Sequence, residues 1–458
     1  MPGALDSLFG SPAKSTVDAR MIVAALGALV RKPDAARWHH FYETIRRDDS
    51  IAIVDGVIAH LAASGLSRNK VGDIARRIAR ESPDVNAVKT ALALLGAAGA
   101  NEDRVLVLTL GRYEELTIFA AVALENLLAD AEEYIWMLAR SVRGWGRIRT
   151  LFRLKGTARA DIKAWLLREG WDNSVMIEET AYLCAAQGEL LGALREPEPD
   201  EKLLEGAGEI LHALINGGPA EDIGDYRDGS EASRLYLRHI VANTSSLVRY
   251  VHAKALLDFA QGDPPPYWTA EVRWDIRTEA LRYLGRAEWP ALVAEGLRSA
   301  NERVFWLACE VGSAIGIDVW PARYERQKFG TSDQWYFLMQ TDRDDRIEQV
   351  LDLARARLDL AKIGSGPGIS LGLGLEYADD QAADFIVQDL KRFAGIGWDL
   401  VKIALRGRTI RLRNMALNAL AAWGRNTWPS DAVDVLRIAL EKEPDNEVRE
   451  RIRAALAE

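Results

Sequence analysis

The stretch RSVRGWGRIRTLFRLKGTARADIKAWLLREGWDNSVMIEETAYLCAAQG, residues Arg140 to Gly188, decides the fold. It reads as three short helices in a row, with tryptophan, arginine and acidic residues gathered at their joints. Along the whole chain no sustained alternation of apolar and polar residues, as a half-buried strand would show, is read. A chain built this way packs helix on helix.

Outward from this stretch the same period continues. Val54, Val57, Ile58 and Leu61 fall at i, i+3, i+4 and i+7, which places them on one helix face. Ile74 and Ile78, then Val85, Val88 and Leu92, repeat the pattern. Breaks stand at Ser64-Gly65, Ser82-Pro83, Gly99-Ala100-Asn101 and Gly217-Gly218-Pro219. No Asn-Gly or Asp-Gly hairpin, meaning such a dipeptide between two alternating runs, is found. The helices fall into pairs that resemble one another. The clearest line is Asp445-Asn446-Glu447-Val448-Arg449, an acidic or amide cap, then Val-Arg, then small and apolar residues to Leu456. Related lines stand at Leu247-Val248-Arg249, Asn301-Glu302-Arg303-Val304 and Ile410-Arg411.

This pattern resembles degenerate HEAT or armadillo-type repeats over residues 40–440. The resemblance implies an all-α solenoid of stacked helix pairs, one continuous right-handed stack, because a single pair cannot bury its apolar face alone. Residues 1–16 read as a flexible N-terminus and 17–363 as the helical-repeat solenoid. Residues 364–378 read as a Gly-rich connecting loop, and 379–458 as C-terminal repeats that continue the stack. The loop Gly364-Ser-Gly-Pro-Gly368-Ile-Ser-Leu-Gly372-Leu-Gly374 interrupts the helical pattern. It serves either as a connector or as the lining of a site, since glycine lets backbone N–H groups approach a ligand. Gly144-Trp-Gly-Arg147-Ile, Trp165-Leu-Leu-Arg168-Glu-Gly170, Gly366 to Gly374 and Arg413-Asn-Met-Ala-Leu417 resemble a group of bacterial helical-repeat proteins. Some of that group carry the label limonene hydroxylase. The resemblance carries over no catalytic residues, so any oxygen chemistry must rest on the residues of this chain.

Those residues offer little for it. Oxygen activation needs a metal or organic cofactor. A carboxylate-bridged di-iron site in a helical protein takes two Glu-x-x-His motifs, and this chain has one, Glu209-Ile-Leu-His212. Cys184 and Cys309 sit in apolar runs and read as core residues. No Gly-x-Gly-x-x-Gly or Gly-Lys-Ser/Thr occurs. Gly368-Ile-Ser370-Leu-Gly372 matches the nucleophile-elbow spacing, but that motif needs a strand before it and a histidine after it. His252 is the last histidine. His39 and His40 are helix neighbours about 100° apart, poorly placed as a metal pair. The expectation is a protein with no resident metal, haem, flavin or nicotinamide.

The 458 residues carry a formal charge of −9, with 48% hydrophobic residues. Two cysteines cannot build a disulfide framework and suit a reducing compartment. The run Met21 to Val30 is too short to span a bilayer. A cytoplasmic protein without a signal peptide or membrane contact is expected. Two stretches lack acids altogether: Arg140 to Ala160, with seven basic residues, and Leu400 to Ser430, with six. These islands either contact an anionic ligand or pair with acids of neighbouring helices.

The fourteen tryptophans mostly stand at helix ends and serve inter-repeat packing or, with arginine, a binding groove. The candidate groove comprises Trp145, Arg147, Arg149, Trp165, Arg168, Trp171, Glu178, Arg411, Arg413 and Asn414. Both islands carry Arg-apolar-Arg, at Arg147-Ile-Arg149 and Arg411-Leu-Arg413, and residues i and i+2 lie about 200° apart on a helix. One arginine of each pair should point inward, and for Arg147 the expected acid partner is Glu169, Glu178 or Glu179. The leading functional expectation is a non-catalytic scaffold that binds a protein or peptide. The alternatives are binding of a small or phosphate-bearing molecule, including an unfamiliar enzyme, and nucleic-acid binding through the basic islands. The acidic net charge opposes the last.

Overall fold

A computed structural model describes residues 18–47, 54–330 and 333–457, with the side chains of residues 54 and 55 left out. The expectation for residues 1–16 falls outside these. The fold is all-α. Among the described residues no strand forms, and Ser370 and Thr409 make an isolated parallel bridge. The chain divides into two compact units, Met1–Ala287 and Glu288–Glu458. The glycine-rich loop at 364–378 therefore lies inside the second unit rather than between units.

Local chemistry starts the helices where the sequence places them. Asp18, Asp34 and Asp200 each accept a hydrogen bond from a backbone N–H two or three residues on, at 2.9 Å. Asn301 does the same for Val304 at 3.2 Å, and Asp445 for Val448 at 3.0 Å. Apolar faces then bury. Val57, Leu61, Ile78, Val88 and Leu92 are all in the core, whereas Val85, in the first turn of its helix, stays exposed.

In the first unit helices pack mainly on the next helix and the next but one. Val85–Ala98 lies against Arg68–Glu81 and Glu114–Leu127, and Gly144–Phe152 against Glu114–Leu127 and Ala131–Ser141. Small residues set the approach. A Cβ on Gly96 would stand 2.8 Å from the Cα of Ala123, so these two helices touch backbone to backbone. Further on, the helix Ala160–Trp165 widens into a π turn, Leu166–Gly170, which packs on the helix Glu201–Asn216. The three helices expected across 140–188 are thus Gly144–Phe152, Ala160–Trp165 with its π turn, and Ala181–Gln187.

In the second unit tryptophans stand at helix ends and tie them together. Trp320 donates its indole N–H to the Leu338 carbonyl at 2.9 Å, and Trp423 donates to Leu390 at 2.7 Å. Trp428 donates to Leu420 at 2.8 Å, and Trp398 to the Asp431 carboxylate at 2.7 Å. Each satisfies an acceptor near a turn while burying a large ring. The core of this unit runs from Trp320 and Trp335 through Ile347, Ile386 and Leu412 to Ile452.

The contact at Gly206 gives a direct test of the first unit. A Cβ there would fall 1.8 Å from the Leu167 carbonyl oxygen of the π turn and 2.7 Å from Nε1 of Trp171. Backbone cannot retreat cheaply, and overpacking typically costs about 1–3 kcal/mol. Gly206→Ala should lower the urea-unfolding midpoint, and Gly192→Ala, which meets only the Glu189 Cβ at 3.9 Å, should not.

Candidate functional site

Gly144 opens the central helix with φ +62°, and its N–H bonds to the Asn173 carbonyl at 2.7 Å. A side chain there would strike the Glu114 carboxylate, which accepts from the N–H of Trp145 at 2.7 Å. One turn of helix then carries Arg147 into the interior, where it is 4% exposed. Its Nε donates to the carbonyls of Ala139 and Val142 at 3.1 and 3.0 Å. Its Nη1 donates to those of Asp172 and Glu169 at 2.7 and 3.2 Å. Trp165 lies alongside, its ring centre 5.8 Å from the guanidinium.

The inward orientation of Arg147 is as expected, but its partners are not the expected acids. Glu169 contributes its backbone carbonyl, while its carboxylate bonds to Lys202 at 2.9 Å. The physical reason is that the end of Ala131–Ser141 and the π turn both point orphan carbonyls at one spot, and a guanidinium has five donors to meet them. Burial pulls the Arg147 pKa below its usual value, with Arg143 adding to the effect and Asp172 and Glu169 opposing it.

The second island solves the same problem with an acid, and with the other arginine of its pair. Arg413 is 1% exposed and binds Glu443 through two 2.8 Å hydrogen bonds, with a third of the same length to the Gly407 carbonyl. Arg411 stays exposed, 3.4 Å from Asp384. Asn414 is half-buried and accepts from Arg451.

The ten candidate groove residues therefore separate. Trp145, Arg147, Trp165, Trp171 and Arg413 are buried, so no partner can reach them. Arg149, Arg168, Glu178 and Asn414 are half-buried, and Arg411 is exposed. Arg168 grips Asp200 at 2.7 and 2.9 Å, which steadies the cap of Glu201–Asn216. The first-island and second-island residues lie in different compact units.

Other sequence candidates also find plain places. His212 is half-buried with its pKa lowered by burial and by His252, whose ring lies 5.5 Å away. His252 shares a 3.0 Å hydrogen bond with the Tyr236 hydroxyl. Glu209, His212 and His252 thus share one interior region, but among the described residues no group of three His, Cys, Asp or Glu could hold a metal ion. Cys184 is fully buried, and burial pushes its thiol up to about 12. Ser370, the elbow-like serine, accepts from the Gly372 N–H at 3.1 Å, and a helical turn precedes its loop.

The glycine-rich loop, which the sequence leaves open as a connector or a site lining, carries an apolar strip that the sequence reading does not name. Ile369, Leu371, Leu373 and Leu375 are 70–94% exposed. The residues between them are held down. The Ser370 carbonyl accepts from Ile410 N–H at 3.0 Å, Gly372 from the Gln381 amide at 2.9 Å, and Gly374 from Tyr377 N–H at 3.1 Å. Arg408 donates to the Glu376 carbonyl at 2.7 Å and lies over the Tyr377 ring at 4.3 Å. The signal was present as the alternation Ile-Ser-Leu-Gly-Leu-Gly-Leu.

Beneath this loop Arg408 pairs with buried Asp380, and Arg411 with Asp384. Asp384 is 6% exposed, and its Oδ1 has no hydrogen-bond partner among the described residues.

No family model matches the chain, and no curated protein matches it. Among solved structures it is similar to a crystal structure of an engineered protein from the Northeast Structural Genomics Consortium, at 18% identity over 94% of this chain and 98% of that one. The TM-score is 0.21, too low to carry an argument about fold or function.

Asp384 yields a pH dependence. Burial outweighs the attraction of Arg411, and Asp380 adds to it, so the carboxyl is pushed up to about 7. In the unfolded chain an aspartate titrates near about 3.9. Between those values the folded state holds the extra proton, so this group's contribution to stability falls as pH rises from about 4 to about 7. Asp384→Asn should unfold at higher urea than wild type at pH 8, and the difference should shrink toward pH 5. A difference that does not change with pH would exclude this assignment.

Proposed function

We propose that the chain is a non-catalytic cytoplasmic scaffold of degenerate HEAT-like helix pairs that binds a protein or peptide partner. The observation that carries this reading is the strip Ile369, Leu371, Leu373 and Leu375. Apolar side chains this exposed, side by side on a held backbone, mark interaction sites on globular proteins. With the tryptophans of the candidate groove buried, the strip takes the place of the groove as the partner-binding surface.

The basic islands favour the structural side of their two readings. Arg143 pairs with Asp172, Arg153 with Glu125, Arg159 with Glu133 and Asp161, Arg408 with Asp380 and Lys402 with Asp431. Side chains already engaged by acids have less to offer phosphate, which weighs against nucleic acid.

Burying a leucine side chain contributes about 1.5–3 kcal/mol. A Leu371→Asp/Leu373→Asp variant should therefore lose at least about tenfold in affinity for a partner captured from the native host and re-bound as purified protein. Its thermal unfolding should match wild type, because both side chains stand in solvent. Equal affinity of variant and wild type would remove the strip from the account.

A further inference from the structure

We infer that the first unit holds a binding site for a straight-chain aliphatic carboxylate, in the cavity between the helices Val54–Ala63, Arg68–Glu81, Val85–Ala98 and Glu114–Leu127. This goes beyond the scaffold reading and uses no residue of the strip.

The cavity starts from small residues. Val85–Ala98 ends in Gly96-Ala97-Ala98, which offer only backbone and methyl groups to the space beside them. Gly65, at φ +65°, turns the chain out of Val54–Ala63, and a Cβ there would meet nothing within 4 Å. With no long side chain from these positions to fill the corner, about 470 Å³ stays open. Small-molecule ligands occupy cavities of this size.

The lining selects the ligand. Ile58, Leu61, Leu66 and Val71 face the space and no aromatic ring does. An alkyl tail gains from such walls, whereas a flat ring finds no face to stack on. Polarity is graded: Leu61, Val71 and Ala98 are buried, while Arg68 and Asn126 are exposed. A ligand that follows this grading has an apolar tail and a polar head that keeps contact with water. Arg68 is the one ionisable side chain in the lining, and no acid accompanies it. Among the described residues it makes no ion pair or hydrogen bond, whereas Arg76 and Arg77 of the same helix bind Asp103 and Glu81. An open guanidinium fork matches a carboxylate. Asn126 donates to the Val122 carbonyl at 2.8 Å and keeps its second amide N–H for the head group. At about 30 Å³ per heavy atom, as in liquid water, the space takes on the order of fifteen non-hydrogen atoms, which is a saturated acid of about ten to twelve carbons.

The test is isothermal titration of the full chain with sodium decanoate, sodium hexanoate and 1-octanol at low salt. One decanoate per chain is expected, at least about tenfold tighter than hexanoate, since each buried methylene brings about a fourfold gain. Arg68→Gln should weaken decanoate about threefold, the modest loss that suits an exposed charge pair, and leave 1-octanol unchanged. Ala62→Trp, an exposed lining position whose new ring fills the space, should abolish binding of both. Should that variant melt below wild type, the chain-length series and Arg68→Gln still decide. Leu371→Asp/Leu373→Asp should bind decanoate as wild type does, which separates this site from the strip. Absence of saturation, several equivalents per chain, equal affinity for decanoate and hexanoate, or decanoate binding that Ala62→Trp leaves intact overturns the inference. So does an Arg68→Gln variant with unchanged decanoate affinity, because the cavity then takes an apolar molecule and not a carboxylate.

Discussion

Every helix C-terminus presents carbonyls that its own helix cannot satisfy, and an all-α chain with short connections must bury many of them. Arg147 is this chain's most complete answer. One guanidinium, pinned by a helix that starts at left-handed Gly144, gathers the carbonyls of Ala139, Val142, Glu169 and Asp172. The ends of Ala131–Ser141 and of the π turn Leu166–Gly170 are thereby fixed to the helix that lies between them in sequence. The charge is stabilised by aligned peptide dipoles at helix C-termini instead of by a carboxylate.

The second unit meets the same constraint with different groups. Arg413 combines the Glu443 carboxylate with the Gly407 carbonyl, and indoles of Trp320, Trp423 and Trp428 cover further carbonyls. A buried ion pair adds little net stability compared with apolar packing, but losing one partner costs about 3–5 kcal/mol. Such pairs therefore fix which helix sits on which more than they add stability. The tryptophans do both, since a large apolar ring and a single donor suit a joint that is dry on one side.

Much of this was legible in the sequence. The 3.6-residue period, the Asp and Asn caps and the missing hairpins give the all-α fold, and the i, i+2 arginines predict one buried member per pair. Which member, and with what partner, was not legible. Arg147 faces inward in one island and Arg413 in the other, because rotation of each helix is set by its neighbours and not by the local motif. Glu169 lay at a plausible distance in sequence, yet only its carbonyl serves. The apolar strip was legible as alternation, but exposure depends on what covers a segment, and nothing local in Ile369 to Leu375 shows that Gln381 and Arg408 hold its inner side.

The most direct test of this account is the comparison of Arg147→Met with Arg149→Met. Methionine keeps much of the apolar stem and removes the donors. Arg147→Met should lower unfolding stability by about 2 kcal/mol or more, the cost of leaving buried carbonyls without partners. Amide exchange should quicken at the end of Ala131–Ser141 and through Leu166–Gly170, while Arg149→Met stays close to wild type in both measurements. Equal, small effects of the two substitutions would contradict the claim that carbonyl capture by Arg147 holds these helices together.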